Sequence, residues 1–183
     1  MIKVIAFDLV GVLVKEKDIE LTELETKLER LFGPNLSDSE YLIQARQYHP
    51  KDVVIMRTTV DLLNHLYEVK DTELLSKLRE KYPDTKIVIA TNHLSRIRNY
   101  IGEALGVLNL DKVYISADIH KIKPNKDFYE HIYTDMKVKS EEILFLDDNQ
   151  ENIDGAIICG LNTIKVEKGM DLYKEIVDYI DNK

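Results

Sequence analysis

Asp8 ends the apolar run Ile2-Lys3-Val4-Ile5-Ala6-Phe7 and precedes the turn Val10-Gly11. An ionised carboxylate in such a run is costly unless it has a partner or a task. If the run is a first parallel strand, Asp8 stands at its carboxyl end, where open α/β sheets place their ligands. A second acidic position closes another apolar run, Ile143-Leu144-Phe145-Leu146, and is a pair, Asp147-Asp148. Carboxylates at strand ends can serve as nucleophiles or as oxygen ligands for a hard divalent cation. The pair could equally cap a helix beginning near Gln150.

The elements that must hold these groups read in two layers. Between Val14 and Pro83 the pattern is helical, without a convincing strand. Ile19, Leu21, Leu24, Leu28 and Leu31 recur at helical spacing, and Gly33-Pro34 stops the run. Ser37-Asp38-Ser39-Glu40 is a capping box opening a second helix with Leu42, Ala45 and Tyr48. Met56, Val60, Leu63 and Leu66 stripe a third helix, and Leu74, Leu75 and Leu78 mark a fourth. After Pro83 strands and helices alternate. The strands are Ile87–Ala90, Val113–Ile115, Ile143–Leu146 and Asn162–Val166, with a helix opened by Ser95, others over Phe128–Tyr133 and Asn152–Cys159, and a terminal one through Ile176. Alternation of this kind predicts an α/β fold, a Rossmann-like parallel sheet with helices on both faces. The early helical block reads as a small all-α cap inserted after the first strand. The expected division is a core of residues 1–14 and 83–183 with a cap of 15–82.

Composition narrows the function. With 25 basic and 33 acidic residues the net charge is −8, which argues against nucleic-acid and acidic-membrane partners. Cys159 is the only cysteine, so neither an intrachain disulfide nor a cysteine metal cluster is expected. The N-terminal apolar stretch is interrupted by Asp8 and lacks a small-residue cleavage site, so it reads as a buried strand. Other apolar runs are shorter than a membrane span, and cytoplasmic residence is expected.

Four segments, in order, resemble the motifs of the haloacid dehalogenase-like (HAD) superfamily. Phe7-Asp8-Leu9-Val10-Gly11 resembles the nucleophile motif. Ile89-Ala90-Thr91-Asn92 resembles the second motif, whose strand-end hydroxyl meets phosphate. Lys121-Ile122-Lys123-Pro124 resembles the third, whose lysine, here Lys123, neutralises nucleophile and phosphate. Leu146-Asp147-Asp148-Asn149, with Asn152 following, resembles the acidic fourth motif. The resemblance implies Asp147 as a magnesium ligand, Asp148 and Asn152 in support, and a helical cap over the site. The small sugar-phosphate phosphatases are the branch most similar to these segments.

Phosphoryl transfer from a monoester needs an in-line nucleophile and positive charge around the equatorial oxygens. Asp8 can attack and carry an aspartyl phosphate. Asp8, Asp147 and the Val10 carbonyl could hold Mg2+, which keeps several waters and needs few protein ligands. Lys123 adds a point charge, and Thr91 with the Asn92 amide can donate to phosphoryl oxygens. The expected activity is magnesium-dependent hydrolysis of a small phosphorylated metabolite. Val10 departs from the resemblance, because most family phosphatases carry there the aspartate that protonates the leaving oxygen and then activates water. Loss of a general acid/base costs about 10²–10⁴-fold, and Glu16, Asp18, His93 and His120 are the candidate substitutes. The alternative is a catalytically impaired module that binds phosphate or a protein partner. Dehalogenation ranks below both, since dehalogenases do not as a group carry the Asp147-Asp148 pair.

Overall fold

The computed structural model describes residues 1–183, the side chain of Val107 excepted. Five parallel strands form the central sheet: β1 (Val4–Phe7), β4 (Lys86–Thr91), β5 (Lys112–Ile115), β6 (Ile143–Asp147) and β7 (Asn162–Lys165), in the order β5-β4-β1-β6-β7. Strand β1 is central, with Val4 opposite Lys86 on one side and Ile143 on the other. Side chains alternate across it, as a period of two requires. Ile5, Phe7, Ile87, Ile89, Leu144 and Leu146 face one hydrophobic cluster, and Val4, Ala6, Val88, Ala90, Ile143 and Phe145 face another. Helices α4 (Leu74–Lys81), α5 (Ile97–Leu105) and α9 (Leu172–Asp181) pack in the first cluster, and α7 (Lys126–Met136) and α8 (Gln150–Ile158) in the second. The four-residue helix α6 (Ser116–Ile119) follows β5.

The segment after β1 holds α1 (Glu23–Glu29), α2 (Asp38–Ala45) and α3 (Asp52–Leu66). Ser37 caps α2 in the expected reciprocal manner, its hydroxyl facing the Glu40 amide while the Glu40 carboxylate accepts from the Ser37 amide at 2.9 Å. Helix α1 is shorter than its apolar repeat suggested. A second capping box, Thr22 with Glu25, starts it, leaving Ile19 outside and exposed. Helix α3 buries Ile55, Thr59, Leu62, Leu63 and Leu66 rather than Met56 and Val60. One expectation is corrected. This segment does contain strands: β2 (Val14–Glu16) pairs antiparallel with β3 (Tyr67–Val69), so a short ribbon brackets the three helices. Three-residue strands lack the length for a visible alternation. Helix α4 packs against α9 on the sheet rather than with the three helices. Ser95 makes no cap; α5 begins after Arg96 without a side-chain cap bond.

Candidate active site

The site assembles at the carboxyl ends of β1, β4 and β6. The Asp8 amide donates to the Leu146 carbonyl at 2.8 Å, which ties the residue just past β1 to β6. Lys123 bridges the two strand-end carboxylates, its Nζ 2.8 Å from Asp8 Oδ1 and 2.6 Å from Asp147 Oδ2. The lysine side chain is 1% exposed, Asp147 is wholly enclosed and Asp8 shows 12%. Burial raises the Asp8 pKa above its ordinary value; Lys123 opposes this, and the Asp147 charge adds to it.

Asn92 explains how a lysine on a loop reaches this depth. Its Nδ2 donates to the Lys123 carbonyl at 2.9 Å, and its Oδ1 accepts from the Lys123 amide at 3.0 Å. The Asn92 side chain thus pins the lysine backbone, a task beyond the phosphoryl contact expected of its amide. Thr91 is the last residue of β4, opposite Ile115, and is buried.

The acidic pair divides. Asp147 accepts four protein hydrogen bonds: Oδ1 from the Asn149 amide at 2.8 Å and from Asn152 Nδ2 at 3.1 Å, Oδ2 from Lys123 and from Asn152 Nδ2 at 3.0 Å. Capping of α8 falls to Asn149, whose Oδ1 accepts from the Glu151 amide at 2.8 Å. Asn152 is in turn fixed by the Tyr129 hydroxyl, which donates to its carbonyl at 2.6 Å. Asp148 is exposed and lies over Gly11. At φ +85° Gly11 has left-handed backbone, which favours glycine, and an added Cβ would come 2.1 Å from Asp148 Oδ2 and push that carboxylate aside.

One carboxylate oxygen from each of Asp8, Asp147 and Asp148 lies within 4.8 Å of the others. The donors are all hard oxygens, and Lys123 pairs with only two of the three carboxylates, so a divalent cation fits the group in charge and chemistry. The Val10 side chain packs against the main core, and its backbone bridges to Val14 across the turn.

The four candidate substitutes for the absent acid/base separate on geometry. His93 is buried, with Nδ1 accepting from the Leu94 amide at 3.0 Å and Nε2 3.1 Å from the Tyr67 hydroxyl. Burial pushes its pKa down to about 4, so it is neutral at pH 7 with both nitrogens engaged. Glu16, Asp18 and His120 are exposed, and among the described residues none of the four hydrogen-bonds Asp8. His120 takes a left-handed φ of +53° at the end of α6. Tyr41 of α2 is core, its hydroxyl bonded to Thr59 Oγ1 at 2.7 Å. Sequence reasoning missed Asn149 and the bracing of the Lys123 loop by the Asn92 side chain. The Asp147-x-Asn149 spacing carried the signal for the first, as an amide two residues on can reach back to the carboxylate.

A family model described as haloacid dehalogenase-like hydrolase matches residues 2–160. Among solved structures, a predicted HAD-like hydrolase from Porphyromonas gingivalis superimposes with TM-score 0.78 at 23% identity, covering 100% of both chains. A HAD family enzyme of Bacteroides thetaiotaomicron, complexed with magnesium and inorganic phosphate, gives TM-score 0.74 at 18% identity over 96% of this chain and 99% of its own. The L-2-haloacid dehalogenase of Xanthobacter autotrophicus gives 0.64 at 15% identity over 100% of this chain and 84% of its own. Drimenol cyclase drtB of Aspergillus calidoustus is 22% identical over 154 residues, 80% of this chain; the match spans only 28% of that relative's length. With the family model matching from β1 to the end of α8, the chain belongs to the haloacid dehalogenase-like hydrolases.

Proposed function

We propose that this protein is a magnesium-dependent phosphatase of a small phosphorylated metabolite, working through an aspartyl phosphate on Asp8. The carrying observation is Asp8 at a strand end, held by Lys123 within a group of three carboxylates. The Bacteroides complex with magnesium and phosphate is consistent with this reading.

An Asp8 oxygen attacks phosphorus as the ester bond to the leaving oxygen breaks. Lys123, already against Asp8, offsets charge on the transferring group, and the Thr91 hydroxyl and Asn92 amide donate to its oxygens. Magnesium, when bound, supplies a Lewis-acid charge at the phosphoryl oxygens. The residues that would hold it are Asp8, the Val10 carbonyl and the acidic pair. Within that pair we assign the metal contact chiefly to Asp148, because the Asp147 oxygens already accept four hydrogen bonds from three protein donors; Asp147 then anchors Lys123. We read 15–82 as the cap region, with α4 leaning on the core, and cytoplasmic residence as the setting for such a substrate. Net charge remains the argument against a nucleic-acid partner.

Val10 supports a second reading, a module that binds phosphate but turns over poorly. Proton delivery to the leaving oxygen and activation of water both lack the residue-10 carboxylate. The test is a panel of phosphate monoesters with magnesium, run beside 2-haloacids, on the parent and Asp8→Asn. Magnesium-dependent phosphate release lost in Asp8→Asn is expected. Phosphate binding without turnover moves the assignment to the binding module, and halide release to dehalogenation.

A further inference from the structure

A cleft of about 480 Å³ opens beside the acidic group, between the β1 loop, the ribbon and the segment after β7. Four lysines line it, Lys15, Lys70, Lys165 and Lys168, against two carboxylates, Asp148 and Glu167. In a chain of net charge −8 this is a local reversal of sign. Lys15 has one ion pair, a loose contact of 3.3 Å to Glu68. Among the described residues, no carboxylate stands at ion-pair distance from Lys70, Lys165 or Lys168.

Two of these cations are held by main chain instead. Lys70 Nζ donates to the Gly11 carbonyl at 2.7 Å, and Lys165 Nζ donates to the Asp148 carbonyl. An ammonium has three donors, so each is fixed in place with N–H groups left over. The two carbonyls belong to the loops that carry Val10 and Asp148. The cleft thus shares a wall with the candidate metal ligands.

We propose that this cleft is a second anion site, taking a phosphate-class group. Its volume is that of small-molecule sites, and its concave form suits a compact anion rather than a polymer or a lipid surface. Two sources share this chemistry: free inorganic phosphate, and a second phosphate on the molecule processed at Asp8. The second source rests on the phosphatase reading; the first does not.

The first experiment titrates inorganic phosphate, without magnesium, into nitrogen-15-labelled protein and follows backbone amides. Lys70→Gln/Lys168→Gln is compared with the parent, and Lys15→Gln/Lys168→Gln serves as a second variant, since neither Lys15 nor Lys168 braces a loop. Amide shifts at 166–169 and Gly11 are expected, with binding about tenfold weaker in each double variant. Shifts confined to 91–94, with equal affinity in all three proteins, overturn the proposal. The second experiment compares sugar monophosphates with bisphosphates. A drop of about tenfold in kcat/KM confined to bisphosphates assigns the site to substrate. Unchanged kcat/KM on both, with the amide response lost in the variants, assigns it to free phosphate. Should no phosphate ester be turned over while the shifts at 166–169 persist, the phosphatase reading falls and the anion site stands.

Discussion

Replacing Lys123 by methionine keeps the length of the side chain and removes its charge. The lysine holds two carboxylates at 2.8 and 2.6 Å, and neither partner is more than 12% exposed. This puts the contact in the class of buried ion pairs, where loss of one partner costs about 3–5 kcal/mol, rather than the ~0–1 kcal/mol of surface pairs. Against a total stability of about 5–15 kcal/mol, that is a large fraction. The cost also has a pH dependence of known sign. Asp8 titrates above its ordinary value because of burial, and an acid raised in this way contributes stability at low pH that is lost as pH rises through the folded pKa. Lys123 is the main influence pulling that value down, so Lys123→Met moves the folded pKa further up and extends the loss to higher pH. Urea unfolding in chelator, at neutral pH and near the unfolded carboxylate pKa of about 3.9, measures both effects. The expected difference from the parent is about 3–5 kcal/mol at neutral pH, shrinking toward acid. A difference below ~1 kcal/mol, or one equal at both pH values, would refute the bridge as the organiser of the site.

Val10→Asp should raise the steady rate on an activated aryl phosphate by about 10²-fold or more, once the new carboxylate turns from the core toward the site. In the parent, rapid quench should show a burst of phosphorylated Asp8 and then a slow steady phase; fast turnover without a burst points to another base. Magnesium titration should show weaker binding by about tenfold in Asp148→Asn, with a smaller change in Asp147→Asn. The reverse ranking would return the metal contact to Asp147. Asn92→Ala removes both bonds to the Lys123 backbone and should cost about 1–3 kcal/mol of stability while lowering kcat. An unchanged unfolding midpoint would show that the lysine loop holds itself.

The core was legible because its strands are continuous apolar runs: Ile87–Ala90 and Ile143–Leu146 are buried on both faces, and such runs stand out without any alternation. Asp8, Thr91 and Asp147 were legible for a related reason, being polar residues at or beside strand ends, whereas Lys123, on the loop before α7, was legible only through the resemblance of Lys121-Ile122-Lys123-Pro124 to the third motif. The ribbon was not, since Val14–Glu16 and Tyr67–Val69 are short and their pairing spans the whole helical segment. Nor was the task of Asn92. A carboxamide suits a phosphate and a peptide group equally, and only the approach of the Lys123 loop decides between them. The lysine cleft was illegible because Lys15, Lys70, Lys165 and Lys168 are scattered along the chain, each an ordinary surface residue until the ribbon and the end of β7 bring them together.

The central place of β1 bears on how the chain reaches this state. Val4–Phe7 is wholly apolar and fully enclosed, yet its two neighbours begin at Lys86 and Ile143. During synthesis the strand that carries Asp8 waits, unpaired on both edges until β4 is made and on its second edge until β6 follows. Pairings so distant in sequence are slow to close, and an exposed apolar strand invites association with other chains in the interval. Lys3, just before the strand, is a charge flanking it and acts as a modest gatekeeper. The acidic group, the lysine bridge and the sheet should therefore mature together, late, when β6 docks beside β1. Truncated chains ending before Ile143 should be aggregation-prone rather than partly active.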